Sequence, residues 1–434
     1  MKTKSIIITT LTLLFAAGIT SCSKSDGEET TQNTKEKEDT PQFVDDKGEA
    51  LTPAQEQAFG KSINDFTFNM FRTMAAQHPR QSLVSSPLSA ATLLAMLNDG
   101  AWGQTREQLL QVLGFEGAKS RSVNEYFQKL MKETVTSGGT TKLTMANAMY
   151  VRQGYEFLSA YATDMSNYYG ATAETLDFDD AKSVDYINSW CNKQSNGMIP
   201  QMVTQIPPAT LSLLLNAIYF SGKWKTPFEK EQTGYGAFTQ EDAKTSETEM
   251  MHLGTKDVLF RETQDYKALQ MDYEAGDFAM TLLLPSDGKT TADIIGSVMG
   301  NDTWSALCAS LTTPEPYIVI TLPRFTIETG DEAMEDLTGT LKKMGAVAMF
   351  SPSADFPNIL KEDNLAVSQL RQKAKLMVTE DGTEAAAITI SGLDGSPMPG
   401  TPTYPTFKAD HPFVYVISNS KTGVVYFIGQ YHGE

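Results

Sequence analysis

Two apolar runs near the C-terminus, Phe413–Ser418 and Val424–Gln430, constrain the fold of this chain more than any other feature. They flank a turn at Gly423 and read as a β-hairpin. Side chains of a strand alternate between the two faces of its sheet, and here both faces are apolar. Such a hairpin has to be buried on both sides, so the sheet that holds it needs a covering layer on each face.

The covering layers are legible upstream. Thr52-Pro53-Ala54-Gln55 reads as a helix start, with a capping Thr, Pro in the first turn and Gln at the capping-box position. Phe59, Ile63, Phe66, Met70 and Met74 then recur at helical spacing and give one buried face. Ser86-Pro87 begins a second helix that runs to about Asn98. Thr105 with Gln108 begins a third, stopped by Gly114. Val184, Ile187 and Trp190-Cys191 mark another, ended by Asn196-Gly197. Strands dominate later: Phe278–Leu284 before the turn cluster Pro285-Ser286-Asp287-Gly288, and Tyr317–Glu328 interrupted by Pro323. Glu332–Met344 reads as helical and Lys373–Thr379 as a strand. Helices first and strands later, with one helix between, is an α+β pattern of helices packed on large sheets.

The chain has 434 residues, enough for a large core, and a net charge of −18. That charge argues against nucleic acid and against an anionic bilayer surface as partners. The sequence has no G-x-S-x-G, H-E-x-x-H, C-x-x-C or Walker loop. Gly234-Tyr235-Gly236 lacks the third glycine of a nucleotide fingerprint. The four histidines are His78, His252, His411 and His432, and the acidic residues are scattered. An enzyme is not expected, and neither a metal nor another cofactor is. Cys191 and Cys308 sit among apolar residues of expected helices and read as inert thiols; a bridge between them has no support in the sequence.

The stretch Glu380-Asp381-Gly382-Thr383-Glu384-Ala385-Ala386-Ala387 joins the Lys373–Thr379 strand to a long, nearly uncharged segment, Ser391–Thr406. As a strand it places Thr383, Ala385, Ala387 and Thr389 on one face, small enough to enter a packed sheet. Glu384, Ala386, Ile388 and Ile390 fall on the other. The same residues could instead form an Ala-rich helical turn before a loop.

This hinge resembles that of the serpins, a family of protease inhibitors. So do four other motifs, in family order across about residues 55–434. Ser85-Ser86-Pro87-Leu88-Ser89 resembles the shutter. Leu211–Trp224 resembles the segment leading into the breach above the central sheet. Met349-Phe350-Ser351-Pro352 with Ala354-Asp355-Phe356, and Phe407–Phe413, are also similar to the family. The resemblance implies a serpin fold, about nine helices around three β-sheets, with an exposed reactive-centre loop at residues 388–406. It implies a breach residue at Trp224 and shutter residues at Ser86, Ser89, Asn216 and Gln372. The family's usual shutter histidine aligns with Gln372.

The function so implied is suicide inhibition of serine or papain-like cysteine proteases by a monomer. Glu380, Gly382, Thr383, Ala385, Ala386 and Ala387 would form the hinge. Family spacing puts the scissile bond at Ser396–Pro397; Leu393–Asp394, Gly395–Ser396 and Thr403–Tyr404 are alternatives, because Pro is a poor residue just after a cleaved bond. No Arg or Lys lies between Lys375 and Lys408. Elastase-, chymotrypsin- or subtilisin-like targets are therefore favoured over trypsin-like ones. The alternative is a serpin-fold binding protein that inhibits nothing.

The N-terminus reads as a targeting signal. Lys2 and Lys4 precede an apolar run, Ile6–Ala17, that is short for a membrane span. Ile19-Thr20-Ser21-Cys22 resembles a bacterial lipobox, which makes 1–21 a lipoprotein signal peptide and Cys22 the lipidated residue. Residues 22–51 read as a disordered acidic tether and 52–434 as the serpin domain. Membrane contact is expected only through the lipid on Cys22, at the outer membrane or surface of a Gram-negative cell.

Overall fold

The terminal hairpin lies deep inside the molecule. The computed structural model describes residues 48–135, 141–274, 277–328, 336–362, 365–383 and 404–433. Among them are nine α-helices and three sheets. The helices are α1 (Pro53–Gln77), α2 (Pro87–Gly100), α3 (Gly103–Leu113), α4 (Ser120–Val135), α5 (Ser159–Tyr169), α6 (Lys182–Gln194), α7 (Thr291–Val298), α8 (Asn301–Ser310) and α9 (Thr338–Met344).

The strands are β1 (Leu83–Ser85), β2 (Lys142–Arg152), β3 (Thr172–Leu176), β4 (Ser212–Lys223), β5 (Gly234–Thr239), β6 (Thr245–Thr255), β7 (Leu259–Glu262) and β8 (Tyr266–Asp272). They continue with β9 (Phe278–Pro285), β10 (Ile318–Pro323), β11 (Phe325–Glu328), β12 (Gln369–Val378), β13 (Gly382–Thr383), β14 (Thr406–Lys408), β15 (Phe413–Asn419) and β16 (Val425–Tyr431). One six-stranded sheet runs β1-β16-β15-β9-β8-β7, with the terminal hairpin flanked on both edges by other strands. Every residue of β16 is buried, as two apolar faces require. A four-stranded sheet runs β14-β10-β6-β5.

The third sheet, β11-β12-β4-β2-β3 with β13 against β4, positions the site. One face of β4 (Leu214, Ile218, Phe220) joins the main core, as do Leu370, Ala374 and Leu376 of β12. The other face (Leu213, Leu215, Ala217) is covered by α6 through Ile187 and Cys191, and by Ile199, Met202 and Val203 after it. Central strands buried on two faces read as near-continuous apolar runs, which is the character of Leu211–Phe220. At the middle of this sheet β12 and β4 pair in parallel, from Gln369↔Leu213 to Lys375↔Tyr219. On either side β11 pairs antiparallel with β12 and β2 antiparallel with β4.

Most local expectations agree with this. Thr52 and Gln55 form a reciprocal capping box at the start of α1. Gly423 turns the hairpin at φ +74°. The Pro323 interruption separates two sheets, since β10 and β11 pair with different neighbours. Three expectations need correction. The third helix begins at Gly103 rather than Thr105; Thr105 is buried and its Oγ1 accepts from Asp355 N at 3.0 Å, while Gln108 accepts from the amides of Val347 and Ala348. Both side chains serve tertiary partners instead of a cap. Helices also do not simply precede strands: β2 and β3 are interleaved with α4, α5 and α6. Of the expected Glu332–Met344 helix, Thr338–Met344 is seen, and residues 332–335 lie outside the described residues. Cys191 and Cys308 form no disulfide among the described residues; burial pushes the Cys308 thiol up to about 11.

One half-buried and one buried histidine at the margins, His252 and His432, give a pH prediction. His252 (β6) meets Thr321 Oγ1 at 3.1 Å, and His432 meets Thr291 Oγ1 at 3.4 Å with, among the described residues, no partner on Nδ1. Burial lowers both pKa values. Lys408 adds to the effect on His252; at His432, Glu241 opposes it and Arg80 adds to it. A folded pKa below the unfolded one means the unfolded chain takes up protons first. This contribution is complete above the ordinary histidine value of about 6.5 and is lost as pH falls below it. Urea midpoints should be level from about pH 8 to 7 and decline below about 6.5, and His432→Gln should flatten part of that decline. A midpoint that rises on acidification would contradict this.

Candidate functional site

The parallel pairing of β12 with β4 stops at Lys375↔Tyr219, four residues short of the end of β4 at Lys223. Above that level the chain leaves β12, turns, and comes back. Thr379 and Gly382 exchange backbone hydrogen bonds of 2.8 and 3.2 Å, and Thr379 Oγ1 donates to Gly382 O at 2.9 Å. The returning strand β13 pairs antiparallel with β4, as Gly382↔Lys223 and Thr383↔Gly222. The hinge residue Thr383 is therefore already docked at the mouth of the seam between β4 and β12, where it is 1% exposed.

Gly382 is required by space as well as conformation. Its φ is +135°, and a Cβ there would stand 2.2 Å from Gly222 O, 2.6 Å from Lys223 Cα and 2.7 Å from Trp224 N. All three are backbone atoms that cannot rotate away. Gly382→Ala should expel β13 from β4. Amide exchange at Trp224, whose N–H donates to Asp381 O at 2.9 Å, should then rise at least about tenfold. Unchanged protection at Trp224 would show that the turn tolerates a side chain.

The residues around Thr383 form an aromatic clamp. Trp224 stacks on Tyr273, ring centroids 4.6 Å apart and planes at 16°. Trp224 Nε1 donates to Thr379 O at 3.0 Å, and the Tyr273 hydroxyl lies 3.1 Å from Thr383 Oγ1. Burial raises the Tyr273 pKa well above that of an ordinary phenol, although the Thr383 hydrogen bond works against it. Glu380 and Asp381 are both buried. Thr233 Oγ1 donates to Glu380 Oε1 at 2.8 Å, and Arg324 approaches the same carboxylate at 4.0 Å. Lys230 Nζ pairs with Asp381 Oδ2 at 2.8 Å, and Phe228 N donates to Glu380 O at 2.9 Å. The hinge is thus tied to the 224–233 connection by its backbone and by both carboxylates.

Halfway down the seam is a buried polar row. Gln372 of β12 stands opposite Asn216 of β4, which stands opposite Asn147 of β2. The Gln372 amide is fully used. Its Oε1 accepts from Ser85 Oγ and Ser86 N, both at 3.0 Å; its Nε2 donates to Ser86 O at 2.7 Å and Ser89 Oγ at 2.8 Å. Ser89 Oγ also donates to Ser86 O at 2.9 Å. This amide ties the seam to the entrance of α2. Asn216 is joined instead to Asn147, Nδ2 to Oδ1 at 2.8 Å. Among the described residues, Asn216 Oδ1, Asn147 Nδ2 and Ser86 Oγ have no hydrogen-bond partner.

The structure therefore brings Gln372, Ser86 and Ser89 together, with Ser86 acting through its backbone and not its hydroxyl. It brings Trp224, Glu380, Gly382 and Thr383 together some way above. Ala385, Ala386, Ala387, Leu393, Gly395, Ser396, Pro397, Thr403 and Cys22 lie outside the described residues. Sequence reading missed Ser85, Asn147, Tyr273, Thr233 and Lys230. Ser85 stands inside the resembling motif and was recoverable; Asn147 meets the site through strand register, Tyr273 by stacking on Trp224, and Lys230 and Thr233 by side-chain contacts from the connection after Trp224. Among the described residues no cluster of His, Cys, Asp or Glu could hold a metal ion, and no helix is long and apolar enough to cross a membrane.

With this geometry in place, comparison with known proteins is informative. The family model for serpins, serine protease inhibitors, matches residues 61–433. Glia-derived nexin of Rattus norvegicus is 30% identical over 379 residues, covering 85% of this chain and 91% of its own length. An uncharacterised serpin-like protein of Thermococcus kodakarensis is 30% identical over 387 residues, 88% of each chain. Among solved structures, native protease nexin-1 with heparin matches with a TM-score of 0.77 at 27% identity, over 87% of this chain and all of that one. Thyroxine-binding globulin with thyroxine matches with the same TM-score at 25% identity, over 86% and 98%.

Proposed function

The chain belongs to the serpin family of serine protease inhibitors, and on that premise we propose that it traps proteases as a single-use substrate. The bait would be residues 388–406. A protease nucleophile attacks one bait carbonyl, the peptide bond breaks, and the enzyme is left acylated on the new C-terminus while the downstream amine departs. The freed upstream strand then extends β13 down the seam between β4 and β12, carrying the enzyme with it. Fourteen residues at ~3.3 Å each span on the order of 45 Å. Deformation of the enzyme's active site by only ~1 Å would stall deacylation.

The observation that carries this reading is β13 itself, a strand already started at the mouth of a seam that is closed below it. A strand continuing from Thr383 would run antiparallel to β4, and so to β12, which is parallel to β4. Insertion would replace one parallel contact with two antiparallel ones, the slightly more stable kind of pairing. That difference, with the buried surface gained, is the driving force for a change held back kinetically. The absence of Lys and Arg between Lys375 and Lys408 favours elastase-, chymotrypsin- or subtilisin-like targets, or papain-like cysteine proteases. The lipobox-like Cys22 supports action at a Gram-negative cell surface.

The likeness to thyroxine-binding globulin keeps a binding protein as the rival reading. Incubation of residues 23–434 with neutrophil elastase, chymotrypsin, subtilisin and papain, read by denaturing electrophoresis and intact mass, separates the two. A denaturation-resistant adduct with release of a C-terminal peptide is expected, and the peptide mass would locate the bond among Ser396–Pro397, Leu393–Asp394, Gly395–Ser396 and Thr403–Tyr404. Loop cleavage without an adduct, and without a rise in melting temperature of the cleaved product, would refute trapping.

A further inference from the structure

The chain re-enters the described structure at Tyr404, and it does so against an aromatic floor. The Tyr404 ring stacks on Tyr317, with centroids 4.2 Å apart and planes at 28°. Tyr317 lies over Gly254 of β6, where a Cβ would reach the ring at 4.0 Å. Both rings are half-buried. Partial burial and the neighbouring Tyr404 phenol raise the Tyr317 pKa. The backbone is held immediately downstream: Val319 N donates to Pro405 O at 3.1 Å, Lys267 Nζ to Thr406 O at 3.0 Å, and Ala409 N to Thr321 O at 2.8 Å. The strand that follows, β14, has three residues and, among the described residues, pairs with β10 alone. So short an edge strand makes few ladder bonds, and contacts outside the ladder decide how often it opens.

We propose that Tyr317 is a positioning residue: by stacking on Tyr404 it pins the downstream end of the bait to β10. The bond Thr403–Tyr404 is thereby withheld, because its downstream residue is packed against the body. Pro397, at the bond that family spacing marks, stands seven positions before Tyr404. Productive cleavage then leaves β14 in place while the upstream half moves. This role rests on the inhibitory reading above, whereas the clamp itself does not.

Wild type, Tyr317→Ala and Tyr317→Phe, as mature chains, would be compared by hydrogen exchange and by limited subtilisin digestion with intact mass. Tyr317→Ala should speed exchange of the Thr406, Phe407 and Lys408 amides by up to about tenfold, the upper range for one aromatic pair. It should add a cut at or beyond residue 403 and raise the number of inhibitor molecules consumed per protease trapped. The main melting transition should not move. Tyr317→Phe, which keeps the stack, should behave as wild type. Wild-type exchange and digestion in Tyr317→Ala would overturn the proposal, as would equal effects of Ala and Phe. If no protease is trapped by any of the three, exchange and digestion still judge the clamp, and only the inhibitory reading fails.

Discussion

A Thr383→Arg variant is expected to be cut by its target at a normal rate and to trap none of it. Thr383 is 1% exposed and its hydroxyl lies 3.1 Å from that of Tyr273, beneath the Trp224–Tyr273 stack. The neighbouring carboxylates are already taken: Glu380 by Thr233 and Asp381 by Lys230. A guanidinium in that place would be buried without a counter-ion, at a cost of about 4 kcal/mol. The side chain escapes this by leaving β13 undocked, so the protein still folds. On the trapping reading, insertion would begin with this residue, and the same penalty would slow it by about a thousandfold. Hydrolysis of the acyl-enzyme then wins. The count of inhibitor molecules cleaved per protease trapped should rise at least about a hundredfold, with the melting temperature of the uncut form little changed, and Thr383→Ser should stay near wild type. Formation of the resistant adduct by Thr383→Arg would sink the hinge account.

The second large effect is expected at Gln372. Its amide makes four hydrogen bonds to Ser85, Ser86 and Ser89, all buried. Gln372→Ala leaves Ser86 N–H, Ser86 O and two hydroxyls without that partner. At about 1–3 kcal/mol for each group stranded, and with Ser89 still donating to Ser86 O, the loss should be about 4 kcal/mol. The melting midpoint should fall by roughly 5 °C, and the uncut chain should convert to an inactive form faster on mild heating. Gln372→His restores the residue type usual in the family but offers two ring nitrogens for four partners. It should recover part of the stability and bring a pH dependence near the histidine range that Gln372 does not have. A wild-type midpoint in Gln372→Ala would mean that the row does not lock the seam.

How much of this could be read from sequence divides along a physical line. Capping and turn residues act within a few positions, and Thr52, Gln55, Gly114 and Gly423 do what their types imply. The two-sided hairpin was legible because apolarity on both faces has one consequence, burial. Gln108 shows where local logic fails: a good capping-box residue was taken by the amides of Val347 and Ala348, some 240 positions away. The same holds for Asn147, which reaches Asn216 through a strand that local periodicity did not reveal. Gly382 is an intermediate case. Its type suggests backbone freedom, but only the approach of Gly222 O and Lys223 explains why no Cβ fits.

The two-residue strand β13 has one more consequence. Adding a strand to a sheet ordinarily requires a search for alignment, and a slip of one residue turns every side chain to the wrong face. Here the first rungs are laid before any bond is cut, with Gly382 opposite Lys223 and Thr383 opposite Gly222. Were the strand to continue in this register, Ala385 would fall against Phe220, Ala387 against Ile218, and Thr389 level with Asn216. On the trapping reading proposed above, insertion would be zipping from an existing nucleus, its speed set by how fast the two old strands part and its alignment set before cleavage.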